Sequence, residues 1–519
     1  VMGSCLLQTS LSGQAPAESL QLSSYLDWET VANPRISPDG GRILYSRGWV
    51  DKLKDRRRSS IWIMNSDGTR NRVLMTGSGA TWSPDGLRIA FTAEDEAGNS
   101  QIFVRWMDSE GATTQITRTQ ESAANLRWSP DGKQIAFTMN VQSAESEWSI
   151  ELPQEPDGAE WVDGPKVVER LTYRRDRRGY IDEGYTHVFT VPAEAGTPRQ
   201  ISNGDWNHSA AEWMPDGLSL VFSSLRVDEA EHVWRESEIY QAVLGTGEIN
   251  QLTDRHGPDT GPVPSPDGRY IAYQGQDFND DTYRENQLYI MESDGSNPRS
   301  LGGEMGRSLG NITWNQDGSG VYFNVSMHGT QNLWFAPVDG QPYAVTNGNH
   351  MLSMASMDTQ GVAVGVLSSY HQPGDLVSFG TRIDAPIHQL THVNDDILEG
   401  VTLGNIEEMW YKSVDDFDIQ GWIIKPPNFD ESRKYPLMLS IHGGPHGMYN
   451  VGFNFGWQEH AANGYVILYT NPRGSSGYGS PFGNAIKNAY PDKDFDDLMA
   501  GVDEVVSRGY VDDDNMFVY

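Results

Sequence analysis

Two glycine-bearing motifs in the last fifth of this 519-residue sequence hold residue types that could do chemistry. One is His442-Gly443-Gly444-Pro445; the other is Asn471-Pro472-Arg473-Gly474-Ser475-Ser476-Gly477-Tyr478-Gly479. Each follows a short apolar run, Pro436 to Ile441 and Tyr465 to Tyr469, too short for a helix and bounded by turn residues. Such runs read as buried strands. Glycine after a strand lets a backbone N–H approach a bound group without a Cβ clash; the alternative is a turn needed only for folding. Asp494 and Asp497 open the helical stretch that follows, Asp494 to Ser507, with Leu498, Val502 and Val505 on one face.

The elements that must position these motifs alternate strand and helix, which predicts a mostly parallel sheet. A hairpin turning at Asp415-Asp416 precedes them, and Met516 to Tyr519 reads as a further strand. Upstream, the chain repeats itself. Trp82-Ser83-Pro84-Asp85-Gly86 recurs as Ile36 to Gly40, Trp128 to Gly132, Trp213 to Gly217, Pro264 to Gly268 and Trp314 to Gly318, with a degraded copy at Met357 to Gly361. Pro-Asp-Gly is a turn: Pro presets φ, Asp bonds back to the backbone and Gly takes the positive φ. Each copy is followed by a second strand pair, such as Ile102-Phe103-Val104 with Gln115-Ile116-Thr117. Two hairpins per repeat, mostly 43 to 51 residues apart, have the size of a propeller blade. The interval from Trp128 to Trp213 is longer, and the excess falls at about 140–186 as a polar arm inserted in the third blade.

The expected architecture is therefore an all-β seven-bladed β-propeller at 18–392, followed at 393–519 by part of an α/β-hydrolase domain. The order of propeller, HGGP, N-P-R-G-S-x-G-Y-G and acidic helix resembles the prolyl oligopeptidase family of serine peptidases, particularly its acylaminoacyl and dipeptidyl peptidase branches. The resemblance covers the chain from about Ser23. It implies hydrolysis of short peptides from the N-terminus by a Ser-His-Asp triad through an acyl-enzyme. It also implies that Gly443 and Gly444 contribute to an oxyanion hole, with His442 shaping the loop. Arg473, Asp494 and Asp497 are expected to pair in support of the active-site loops. The sequence departs from the family in having Tyr490-Pro491 where Trp-Gly usually precedes the acidic pair.

An α/β-hydrolase presents its serine in G-x-S-x-G directly after a strand, with Asp and then His later in the chain. Residues 393–519 have no such elbow, and neither Ser475 nor Ser476 has an assigned base. The triad is expected beyond Tyr519, the fragment itself being inactive. Related dipeptidyl peptidases hold the substrate amine with acidic residues on a propeller arm, which makes Asp182 and Glu183 candidates for that role; a solvated surface is the competing reading.

Composition narrows the remaining classes. Acidic residues outnumber basic ones 71 to 38, a formal charge of −33, which disfavours nucleic acid and anionic membrane as partners. Cys5 is the single cysteine, so no disulfide forms within the chain, and no metal-binding cluster or cofactor motif is evident. No apolar run is long enough to span a membrane. Residues 1–17, ending Ala15-Pro16-Ala17, read as the remnant of a secretory signal and imply a secreted or periplasmic bacterial protein. Peptides are the expected partners, and a homo-oligomer is compatible with everything above. The competing function is a non-catalytic periplasmic propeller module with a hydrolase remnant.

Overall fold

A computed structural model describes residues 18–143, 153–162, 165–181, 183–303, 305 and 307–519. Most of its regular structure is β-sheet. Residues 30–389 form five four-stranded sheets and one eight-stranded sheet whose two halves join through the single pair Gln331–Met351. Within each group of four, successive strands pair antiparallel, so neighbours in sequence are neighbours in space. The first group packs on the last: Ile36 N–H donates to Ser356 Oγ at 3.0 Å, and Val31 and Tyr45 share one apolar cluster with Val364 and Leu376.

The repeated pentapeptide makes a turn between the first and second strands of each group. Its glycine has positive φ in all seven copies, from +66° at Gly132 to +82° at Gly361. The Asp accepts from the Ser two residues earlier, as in Ser129–Asp131 at 2.7 Å. The leading Trp has a second role, invisible in local patterning. Its indole N–H donates to a backbone carbonyl of the preceding sheet: Trp82 to Arg35, Trp128 to Thr81, Trp213 to Arg127 and Trp314 to Val263, at 2.8–3.2 Å. The arm leaves the third group between two strands that pair without a break from Gln134–Pro192 to Val141–Tyr185. It carries a small hairpin, Arg174–Arg175 with Gly179–Tyr180, and Arg170 ties it to Glu231 at 2.8 Å.

The last part of the chain is one five-stranded sheet. Its spatial order is Asn405–Lys412, Asp418–Lys425, Val466–Asn471, Tyr435–Ser440, Val511–Val518. The two ladders around Tyr435–Ser440 are parallel and the other two are antiparallel. The sheet is thus mixed where strand–helix alternation predicted a mostly parallel one, because the 405–425 hairpin joins its edge directly. Helix Lys493–Ser507 covers one face through Leu498, Val502 and Val505. Helix Phe455–Ala462 covers the other, packing Trp457 on Tyr469. Among the described residues no helix is long and apolar enough to cross a membrane.

Candidate functional site

The two glycine motifs leave the carboxyl ends of adjacent parallel strands, Tyr435–Ser440 and Val466–Asn471. The Val511–Val518 strand ends beside them, where Ile441 N–H donates to Tyr519 O at 3.1 Å. Ligands of open α/β sheets bind outside these strand ends.

His442 stands at the junction of the two loops. Its Nε2 lies 3.0 Å from Ser475 Oγ, and its ring meets Tyr449 edge-on at 4.9 Å. Burial pushes its imidazole below the usual histidine range. Ser475 is fully buried and donates to Pro472 O at 2.7 Å, so it positions His442 and is inaccessible as a nucleophile. Gly443 and Gly444 are exposed, and Gly444 has φ of +133°. A Cβ on Gly443 would meet nothing within 4 Å, so open space lies on that side of the loop.

The loops are also stitched through residues that motif reading passed over. Ser476 N–H donates to Gly447 O at 2.9 Å, and His446 Nδ1 lies 2.8 Å from Gly474 O. Asn471 accepts from Tyr449 N–H at 2.7 Å and donates back to Tyr449 O at 2.9 Å. A Cβ on Gly447 would lie 2.9 Å from Gly443 O, so only glycine fits there without displacing the neighbouring turn. A third glycine, two residues after HGGP, is the signal in the sequence; nothing local marks Tyr449.

Arg473 and Asp497 make the expected buried pair. Arg473 Nε and Nη2 bind the two carboxylate oxygens at 2.8 and 2.7 Å, and Arg473 N–H adds a third bond at 2.8 Å. The side chains are 3% and 0% exposed, so the pair fixes the loop to the helix from within the core. Hydrogen bonding to Asp497 holds the guanidinium above its usual range. Asp494 stands outside that pair: it is half-buried and accepts from Asp492 N–H at 2.7 Å at the start of the helix. Asp182 lies outside the described residues. Glu183 is exposed at the base of the arm, where its backbone carbonyl accepts from Asn140. Among the described residues no group of three or more His, Cys, Asp or Glu is placed to hold a metal ion.

The loops face the fifth sheet group across a cleft. Tyr283 of the fifth sheet group packs against His446 with ring centroids 5.0 Å apart and planes tilted by 33°, and Ser480 donates to Glu285 Oε2 at 2.8 Å. His328 N–H donates to Gly477 O at 3.2 Å.

Residues 452–519 match the model of the prolyl oligopeptidase family. The "uncharacterized peptidase YuxL" of Bacillus subtilis is 30% identical over 500 residues, spanning 92% of this chain and 74% of that protein. The chain belongs to the prolyl oligopeptidase family. By family and relatives it is a serine peptidase. Dipeptidyl-peptidase 5 of Porphyromonas gingivalis is 26% identical, spanning 99% of this chain and 77% of that protein. The fold superposes on Pyrococcus horikoshii acylaminoacyl peptidase with TM-score 0.79 at 20% identity, covering 96% of this chain and 74% of that one.

Proposed function

We propose that the protein is a secreted or periplasmic peptidase that removes short N-terminal units from peptides by Ser-His-Asp acyl-enzyme chemistry. In this reading 18–392 is a seven-bladed propeller that restricts access, and 393–519 is the first part of the hydrolase domain. The observation that carries it is the gathering of the HGGP and N-P-R-G-S-S-G loops at the carboxyl ends of parallel strands, opposite the propeller. Gly443 and Gly444 supply backbone N–H groups to the developing oxyanion, and His442, fixed by Ser475, shapes that loop. The serine, aspartate and histidine are expected beyond Tyr519 in the full-length protein. Peptide release fits relatives named dipeptidyl-peptidase and a fold neighbour solved with Z-Gly-Gly-Phe-chloromethyl ketone. The signal-like pattern ending at Ala17 supports the location.

The test is to label the full-length protein with a fluorophosphonate and assay dipeptidyl and acylaminoacyl chromogenic substrates. Labelling with turnover of either class is expected. A folded protein that binds peptides but neither labels nor turns over would be a binding module instead.

A further inference from the structure

The cleft between the propeller and the hydrolase loops encloses about 440 Å³. Its walls include Arg284, Glu285, Asn286 and Arg307 from the propeller and Tyr478 and Ser480 from the hydrolase. The tilted Tyr283–His446 ring contact holds the segment next to this wall against the residue that follows HGGP. Asn484 holds the same segment by accepting from Tyr283 N–H at 3.1 Å.

Two polar groups in the cleft are left with unused bonding capacity. Arg284 is half-buried, yet among the described residues it makes no ion pair and no hydrogen bond. That is unusual in a chain with 71 acidic residues, and the nearby carboxylates are already engaged: Asp281 with Lys487 at 3.1 Å, and Glu285 Oε2 with Ser480. The second group is Glu285 Oε1. Glu285 is 7% exposed, and among the described residues this oxygen accepts no hydrogen bond. A planar guanidinium fork matches a carboxylate, and a buried carboxylate oxygen needs an N–H. A peptide brings both. A phosphate dianion would supply no donor to Glu285 and would meet the charge of Asp281 and Glu285 as well.

We propose that this cleft is a carboxylate-binding subsite for peptide substrates, in which Arg284 holds a carboxylate while a backbone N–H of the same peptide donates to Glu285 Oε1. The inference rests on the peptidase reading above, and it gives that reading a substrate preference. The carboxylate is either the free C-terminus of a very short peptide or an acidic side chain of a longer one.

Two substrate pairs distinguish these sources in the full-length protein: tri-alanine against its C-terminal amide, and C-amidated hexapeptides differing by Glu for Gln beyond the scissile bond. At least one pair should favour the carboxylate by about ten- to a hundredfold in kcat/KM, mainly through KM. Arg284→Gln should bring that ratio close to one, and Arg284→Lys should restore part of it, with thermal midpoints confirming that both variants fold. Ratios near one for both pairs in the unsubstituted protein would overturn the subsite, as would a preference that survives Arg284→Gln. Calorimetry with tri-alanine containing methyleneamino linkages, and with its amide, measures the same preference without turnover. Absence of turnover would therefore count against the peptidase reading alone, while binding still decides the subsite.

Discussion

The repeated sheets and the C-terminal α/β sheet use polar residues in opposite ways. In the repeats one device recurs. A Thr at the end of the fourth strand donates to a side chain opening the third and accepts the next backbone N–H: Thr117 with Gln101 and Ile102, Thr253 with Glu238 and Ile239, Thr346 with Asn332 and Leu333, Thr391 with Asp375 and Leu376. The Trp indole latch likewise recurs four times. In the α/β sheet each polar contact exists once: Arg473–Asp497, His442–Ser475, Asn471–Tyr449. Redundant contacts spread their load over many sheets, whereas a single-copy contact has no understudy. Loss should therefore be small and local in the first region and large in the second.

The largest effect is expected at Arg473. Arg473→Ala leaves Asp497 charged and unpaired in the core, and should cost about 3 to 5 kcal/mol, read as a drop in the denaturant midpoint of the α/β unit. If the midpoint moves no more than for a surface change, the single-copy argument fails. Gly447→Ala comes next. Its Cβ pushes on Gly443 O, and if the HGGP loop forms the proposed oxyanion hole, its displacement should lower kcat by roughly a hundredfold with little change in melting temperature.

Within the repeats, Glu238 sharpens the comparison, being a carboxylate where Gln101 and Asn332 serve elsewhere. Burial, aided by nearby Asp259, Asp254 and Glu236, raises it to about 7 from an ordinary value of 4.5. The folded state thus holds a proton that the unfolded state releases. This contribution is fully present below about pH 4.5 and is lost as pH rises through about 7. Glu238→Gln should flatten that part of the stability–pH curve and leave the weaker slopes of Asp259, raised to about 6 by burial, and of Asp375, also raised by burial. An unchanged curve would show that Glu238 is not the titrating group. The smallest effect is predicted for Trp128→Phe, which removes one of four indole latches at about 1 kcal/mol by thermal melting.

The same contrast explains what was legible beforehand. The Pro-Asp-Gly turns need only a few adjacent residues, so their glycines could be assigned positive φ from the chain alone. Helix Lys493–Ser507 was legible from its apolar face, and the 405–425 hairpin from its paired Asp turn. Arg473 and Asp497 belong to separate motifs, so their pairing could be expected only through the family resemblance. Asp494 shows the limit of that reasoning: two acids three residues apart on one helix look equivalent in sequence, yet one is buried and the other accepts the backbone N–H of Asp492 at the helix start.

The sequence by itself determined the repeats, the glycine turns and the family, because each rests on short-range residue order. Tertiary structure alone decided that the Trp of one repeat binds the sheet before it, that Ser475 is a buried prop for His442, and that Tyr478 and Ser480 share a cleft with Arg284. Those relations join residues tens to hundreds of positions apart. What sets them is the packing of sheets and loops against one another, for which local propensity carries no signal.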